Sequence, residues 1–179
     1  DYKNENSVCM LLKKRFPETK IGFIGPFPSI KPELFKNGDF VLIGEAESFF
    51  MDEFKDFNQL KDNINVSAPT DMDKLPTPCF DGFPIEEYGY EPAIPKRPFL
   101  VLQASKGCPY SCGYYCTYGA YQGPRIRQRS ARKVVGDIIT LQEKYNVKGI
   151  QFRDPIFGLN KNWVKEFCEE LKKKDVKID

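Results

Sequence analysis

Half of the chain's 14 prolines lie in one irregular stretch, residues 67–98, which divides the 179-residue sequence into two parts. Each part alternates short apolar runs with helical patterns, and such alternation is typical of α/β proteins with parallel sheets. We therefore predict an α/β chain with one unit over residues 1–66, an ordered but irregular linker over 67–98, and a second unit over 99–179.

The expected elements follow the spacing of apolar residues in each part. In the first part, we expect helices ending before Pro17, over 31–38 and from Gly44 onward, with strands at 20–25 and 39–44. In the second part, we expect strands at 99–105, at 148–154 and from Asp175, with helices over 129–145 and 160–174. Ser130 is the expected N-cap of the first of these two helices, and Asn160 or Asn162 that of the second.

Composition argues against several kinds of function. The 27 basic and 25 acidic residues nearly balance, so charge gives no reason to expect a nucleic acid or an anionic membrane as partner. No apolar run approaches the roughly 18 residues of a membrane span. The chain has no histidine, which excludes Ser-His-Asp triads and HExxH zinc sites within it. With six cysteines and no secretion signal, we expect a cytoplasmic protein.

Three of the cysteines are crowded into one loop. GCPYSCGYYCTYG, residues 107–119, places Cys108, Cys112 and Cys116 four residues apart, directly after the expected strand 99–105. Loops at the carboxyl ends of parallel strands are where α/β proteins hold ligands. Three thiolates can hold a cubane iron–sulfur cluster by three corners and leave the fourth iron open to a substrate.

Two other interpretations of these cysteines stay open on spacing alone. Cysteines four apart on a helix share one face and can be core residues, although Pro109, Gly113 and the tyrosines make a poor helix here. A zinc site is the other interpretation, but zinc more often takes CxxC pairs with a fourth Cys or His. Away from this loop, we interpret Cys9, Cys79 and Cys168 as packing residues.

The stretch FLVLQASKGCPYSCGYYCTYG, residues 99–119, resembles the start of a radical S-adenosylmethionine (SAM) enzyme, where a first barrel strand precedes the cluster cysteines. That superfamily usually separates its cysteines by three residues and then two, whereas this chain has three and three. Similar turns in one subgroup accompany QGxRxRxRS and FRDPxF segments. This chain carries QGPRIRQRS at 122–130 and FRDPIF at 152–157, so the resemblance extends beyond the cysteines.

The resemblance implies a set of cofactors and roles for particular residues. Cys108, Cys112 and Cys116 would ligate three irons of a [4Fe–4S] cluster, and SAM would bind the fourth. Tyr115 would lie against the adenine of SAM, and Asp154, at the end of the second barrel strand, would contact its amino group. No catalytic residue separate from the cluster ligands is implied.

Asp154 and three nearby arginines also have plainer interpretations. Asp154 could be a turn residue before Pro155. Arg125, Arg127 and Arg129 could either reach a carboxylate or phosphate or form a solvated basic approach to the helix over 129–145.

The first part of the chain resembles the end of a cobalamin-binding domain. The stretch FPETKIGFIGPFPSIKPELFKNGDFVLIGEAESF, residues 16–49, carries the resemblance, with Ile24 and Ala46 where glycines are usual. Glycines in loops at strand ends allow a large flat cofactor to approach the backbone closely. Gly25, Ser29, Gly44 and Glu45 are therefore our candidates near cobalamin. A plain flavodoxin-like half-domain, whose glycines serve turns, is the alternative.

Together, the resemblances imply a particular fold. They place the C-terminal half of a Rossmann-like (flavodoxin-like) cobalamin-binding domain over 1–66, followed by the proline-rich linker. Residues 99–179 would then form the first βα units of a radical SAM partial TIM barrel. Both units are short of strands, so we expect the chain to be an internal fragment that is inactive alone.

The function implied is reductive cleavage of SAM by a [4Fe–4S] cluster, for cobalamin-dependent methyl transfer or a related radical reaction. An electron donor such as flavodoxin or ferredoxin and a small-molecule or peptide substrate would be its partners. The alternative is a non-catalytic iron–sulfur electron carrier or a zinc-binding module.

Overall fold

The computed structural model describes residues 1–89, 96–113 and 115–178. By their internal contacts, these residues form two compact units, each made of two stretches of chain. The first unit combines Asp1–Thr70 with Gly107–Arg125, and the second combines Asp71–Lys106 with Ile126–Asp179. The cysteine loop therefore belongs to the first unit, although it follows directly on a strand of the second.

The first unit is built on a three-stranded parallel sheet in the order β1-β2-β3. Its strands are β1 (Gly22–Phe23), β2 (Phe40–Ile43) and β3 (Asp62–Asn65). Its helices are α1 (Tyr2–Arg15), α2 (Pro26–Ile30), α3 (Ala46–Ser48), which continues as a π-helical turn over Phe49–Glu53, and α4 (Tyr118–Gln122). Two 3₁₀ turns, Pro32–Leu34 and Phe57–Gln59, complete the unit.

The core of the first unit lies around the central strand. Phe40 and Leu42 of β2 pack with Phe49 and Leu60, and all four side chains are buried. The apolar run of β2 fits this position, because a strand between two neighbours in a parallel sheet is buried on both faces. This central strand places the Gly44–Glu45 turn at the carboxyl edge of the sheet.

Helix α1 does not bury the apolar face that its sequence pattern suggests. Val8, Leu11, Leu12 and Phe16 are all exposed, each at more than 40%. The helix instead buries Cys9, whose thiol donates a hydrogen bond to the carbonyl oxygen of Asn37 at 3.1 Å. The helix expected before Pro17 is confirmed, but its apolar residues do not form its buried face.

The second unit packs two helices against a parallel pair of strands, β4 (Phe99–Leu102) and β7 (Gly149–Phe152). The helices α5 (Ala131–Tyr145) and α6 (Lys161–Lys173) contact each other. Leu100 and Leu102 point to the same face of β4 and join the helices in one core. The other buried core residues are Ala104, Ala131, Val134, Val135, Ile138, Leu141, Val147, Trp163 and Phe167.

Both helices of the second unit begin at side-chain caps. The Ser130 hydroxyl accepts a hydrogen bond from the Lys133 N–H at 3.1 Å. Asn160 Oδ1 accepts from the N–H groups of Asn162 and Trp163 at 3.1 and 3.2 Å. The expected cap at Ser130 is confirmed, and of the two candidates for α6 the structure selects Asn160.

A short antiparallel pair and an irregular segment complete the second unit. β5 (Ser105–Lys106) pairs with β6 (Arg127–Gln128). Residues 71–89 contain two 3₁₀ turns, Met72–Lys74 and Ile85–Glu87, and bury Met72 and Leu75. The part of the proline-rich stretch from residue 71 to 89 thus packs within the second unit, while residues 90–95 lie outside the described residues.

The expected α/β fold with parallel sheets is confirmed, although several of its elements differ from those expected. β3, β6, α2 and α4 have no counterpart among the expected elements, residues 31–38 form only a 3₁₀ turn, and residues 175–178 are not a strand. The sequence DNIN of β3 carries one apolar residue, so the pairing with β2 forms it rather than its own side chains. Tyr114 and Asp179, which fall within the expected cysteine loop and last strand, lie outside the described residues.

Candidate functional site

Two hydrogen bonds donated by backbone N–H groups close the neck of the cysteine loop. The Gly107 N–H donates to the side-chain oxygen of Gln122 at 2.9 Å, and the Cys108 N–H donates to the carbonyl oxygen of Gly123 at 3.1 Å. Gly107 and Gly123 have φ angles of 88° and 76°, in the region that favours glycine. The two ends of the loop are therefore held side by side.

The three thiols of the loop differ in their exposure. Cys108, next to the neck, is buried, Cys112 is exposed, and Cys116 is half-buried. None of them forms a disulfide. Among the described residues, no three Cys, Asp or Glu side chains are gathered so that they could hold a metal ion. The assignment of these cysteines as cluster ligands thus remains a prediction.

Helix α4 carries the end of the loop onto the first unit. It packs against α2, and Tyr121 on α4 is half-buried. Burial, with the nearby charges of Glu47 and Glu45, raises the pKa of Tyr121 to about 12, because each of these disfavours the phenolate. At neutral pH the Tyr121 hydroxyl therefore keeps its proton and can donate a hydrogen bond.

The four residues proposed near cobalamin lie at the carboxyl ends of β1 and β2. The Ser29 hydroxyl donates to the Gly25 carbonyl oxygen at 2.7 Å and accepts from the Gly44 N–H at 3.0 Å. Ser29 thus ties the two strand ends together. Glu45, which follows Gly44, is only 1% exposed.

Only part of this edge is open to a ligand. A side chain at Gly25 would meet no atom within 4 Å, so the backbone there faces open space. At Gly44, by contrast, a Cβ atom would lie 2.8 Å from the carbonyl oxygen of Val66. Gly25 therefore faces open space, whereas Ser29 and Gly44 make contacts within the fold. The placing of all four candidates near cobalamin remains a prediction.

Asp154 links the segments that follow β4 and β7. Its carboxylate accepts hydrogen bonds from the Ala104 N–H at 3.1 Å and from the Ser105 hydroxyl at 2.6 Å. Burial raises the pKa of Asp154 above its ordinary value, although these hydrogen bonds act in the opposite direction. Asp154 is therefore more than a turn residue before Pro155.

A cavity of about 310 Å³ adjoins Ser105 within the second unit. It is lined by three apolar side chains and three that can form hydrogen bonds: Ile126, Ile156, Leu159, Ser105, Gln128 and Asn160. Mixed linings of this kind are typical of small-molecule sites. Sequence reasoning missed this cavity, because its residues come from separate stretches of the chain.

The three arginines do not share one environment. Arg125 is exposed and Arg127 is half-buried. Arg129 is buried and forms an ion pair with the buried carboxylate of Asp137. Arg129 thus reaches a carboxylate of its own chain, and the interpretation of all three as a solvated approach is wrong at this position.

The cysteines outside the loop do not share one role either. Cys9 is buried, as expected, whereas Cys79 and Cys168 are exposed, so the packing interpretation is wrong for these two. The Tyr145 hydroxyl, which accepts from the Phe80 N–H at 2.8 Å, lies 3.7 Å from the Cys79 sulfur.

Sequence similarity connects the chain with named enzymes. An uncharacterized methyltransferase of Pyrococcus horikoshii is 27% identical over 175 residues, covering 86% of this chain and 37% of that protein. The anaerobic magnesium-protoporphyrin IX monomethyl ester cyclase of Synechocystis is 25% identical over 195 residues, covering 96% and 38%. The cytidylyl-2-hydroxyethylphosphonate methyltransferase of Streptomyces wedmorensis is 26% identical over 100 residues, covering 52% and 18%.

The chain thus spans well under half the length of these relatives. No protein-family model matches it. The relatives are named as methyltransferases and a cyclase, which supports an enzyme at the family level. In the described part of the chain, no helix is long and apolar enough to cross a bilayer.

Proposed function

We propose that this protein is part of a radical SAM enzyme whose [4Fe–4S] cluster is held by Cys108, Cys112 and Cys116. Two observations together carry the proposal. Three free thiols lie within nine residues, in a loop that follows a strand, and the chain's relatives are named as methyltransferases and a cyclase. The resemblance of residues 99–119 to the start of a radical SAM barrel supplies the cluster type.

The donor set suits such a cluster in its chemistry. Thiolates are the usual ligands of iron–sulfur clusters, and three of them leave one iron open. Cys112 is exposed and Cys116 half-buried, so iron can reach both from solvent. A Cβ atom at Gly113 would meet no atom within 4 Å, so the backbone between Cys112 and Cys116 faces open space at this residue. Binding would have to draw the three sulfurs together.

When bound, the cluster supplies one electron for the reductive cleavage of a C–S bond in SAM. The role of the chain's own residues is to hold and orient the reactants. Tyr115, 84% exposed, presents a flat ring for the adenine. By the same resemblance, the carboxylate of Asp154 would contact the amino group.

Methyl transfer is the reaction that we propose, because two of the three relatives described above are named as methyltransferases. The cyclase name of the third favours cyclisation as the second possibility. Cobalamin as a further cofactor is supported by the resemblance of residues 16–49 and by the open backbone at Gly25. An electron donor such as flavodoxin or ferredoxin, a small-molecule or peptide substrate, and a cytoplasmic location complete the proposal.

The test is anaerobic reconstitution of the full-length protein with iron and sulfide. We expect about four irons per chain and an electron paramagnetic resonance signal that changes when SAM is added. Cys112→Ala should abolish the cluster, since two thiolates cannot hold it. Cys168→Ala is the matched control, because Cys168 is also exposed but lies on α6, outside the loop.

Three results would contradict the proposal. Unchanged iron content in Cys112→Ala would show that the cysteine loop does not hold the cluster. One bound zinc, with no spectral response to SAM, would favour a zinc-binding module. A cluster that does not respond to SAM would instead indicate an electron carrier. For cobalamin, the visible spectrum of full-length protein purified with cobalamin supplied gives a separate answer.

A further inference from the structure

The cysteine loop is fixed at its neck by a side chain rather than by backbone pairing alone. Gln122, the last residue of α4, accepts a hydrogen bond from the Gly107 N–H at 2.9 Å through Oε1. Gly107 directly precedes Cys108, and the Cys108 N–H donates to the carbonyl of Gly123, the residue after Gln122. Both bonds act on the backbone that carries the first cysteine.

The hydrogen bond that Gln122 accepts lies beside the most buried of the three cysteines. Cys108, beside the neck, is 7% exposed, whereas Cys112 is exposed and Cys116 half-buried. Helix α4, which carries Gln122, is in turn held on the first unit through its packing against α2. The chain thus supplies one anchored cysteine and two accessible ones.

We propose that Gln122 is the positioning residue of the cysteine loop, and that its amide oxygen holds Cys108 in its buried place. Cys108 is then the preset ligand, and Cys112 and Cys116 are the two that join it on binding. The relevance of this role to a cluster rests on the proposed function. The positioning of Cys108 does not, since it can be measured in protein that holds no iron.

The test compares two substitutions of similar size. Gln122→Met removes the acceptor, and Gln122→Glu keeps it. In full-length protein without iron, the alkylation rate of each cysteine with iodoacetamide is followed by peptide mass spectrometry. We expect Cys108 to react about fivefold faster in Gln122→Met, the factor that corresponds to a hydrogen bond of typical net strength. Cys112 should react at its original rate, and Gln122→Glu should restore that of Cys108.

Two controls lie in the same unit. Gln59→Met makes the same substitution at another glutamine whose Oε1 accepts a backbone N–H, that of Lys55 at 3.0 Å, and should leave Cys108 unchanged. Cys9 is a buried thiol outside the loop and reports general unfolding. An unchanged Cys108 rate in Gln122→Met would overturn the proposal, and so would an equal rise at Cys9 and Cys108.

The two proposals fail in different ways. If the wild-type protein takes up no iron–sulfur cluster while Gln122→Met still exposes Cys108, the proposed function falls and the positioning role stands. If the cluster assembles normally and Cys108 is equally protected in both variants, the reverse holds.

Discussion

Gly44 occupies a position that glycine alone can hold without strain. Its φ is 114°, and a Cβ atom would lie 2.8 Å from the Val66 carbonyl oxygen. We expect Gly44→Ala to lower the free energy of unfolding by about 1–3 kcal/mol, measured by urea denaturation. Gly136→Ala is the control, because Gly136 lies in α5 with open space around it and should gain about 0.5–1 kcal/mol. Equal effects of the two would contradict this account.

Asp154 makes stability depend on pH in a direction set by burial. Because burial raises its pKa above the ordinary 3.8, the folded state holds this proton more tightly than the unfolded state. Stability from this group is therefore highest at low pH and falls as pH rises from about 3.8 through the folded pKa. The side chain in Asp154→Asn does not titrate, so the variant lacks this pH-dependent contribution to stability.

The measurement is urea unfolding of wild type and Asp154→Asn at pH values from acidic to neutral. We expect the stability of wild type relative to the variant to fall as pH rises through this range and then to level off. The opposite slope would mean that the hydrogen bonds from Ala104 and Ser105 outweigh the cost of burying the charge.

At the scale of elements, a buried carboxylate joins three parts of the second unit. Asp137 on α5 forms ion pairs with Arg129 and Lys133 and accepts a hydrogen bond from the Thr77 hydroxyl at 2.5 Å. Its side chain is 1% exposed and that of Arg129 is 7% exposed. The segment before β4 is thereby held against the helix.

We expect Asp137→Ala to lower the free energy of unfolding by about 3–5 kcal/mol, because it leaves the buried Arg129 charge without its carboxylate. Thermal or urea denaturation measures this loss. Glu169→Ala is the control, since its ion pair with Lys165 is exposed and should contribute at most about 1 kcal/mol. A loss below 1 kcal/mol for Asp137→Ala would show that the pair is dispensable.

Sequence patterns predicted those elements that depend on nearby residues. The helices over 131–145 and 161–173 carry their own caps, at Ser130 and Asn160, and their own apolar faces. β3 was missed because partner strand β2 defines it, and α1 was confirmed as a helix but not in how it packs. Local pattern shows where a helix begins, but not which of its faces is covered.

The candidate site was predictable to a similar degree. The cysteines and Asp154 stand out by residue type and position after strands. The bond between Gly107 and Gln122 joins residues 15 apart through a side chain, and the pairing of Arg129 with Asp137 depends on a helix facing inward. Contacts of this kind leave no mark in residue spacing, so only the folded chain reveals them.

At the scale of the whole molecule, the cysteine loop belongs to the first unit. We therefore expect its local stability to depend on the core of that unit and not on the core of the second. Leu42 and Leu141 are fully buried in the separate cores of the two units. We expect Leu42→Ala to speed hydrogen exchange in β1–β3 and in residues 107–125 together, while α5 stays protected. Leu141→Ala should have the opposite pattern. Equal deprotection of both regions by either variant would show that the chain unfolds as one body.

The two discontinuous units also determine when each part of the chain can finish folding during synthesis. The first unit needs residues 107–125, and these are translated only after the segment from residue 71 to 106 has been added. Because domains fold as they emerge during synthesis, β1–β3 must wait on the ribosome for α4. A nascent chain halted before Gly107 would therefore hold β1–β3 and α2 without α4, which has not yet been translated.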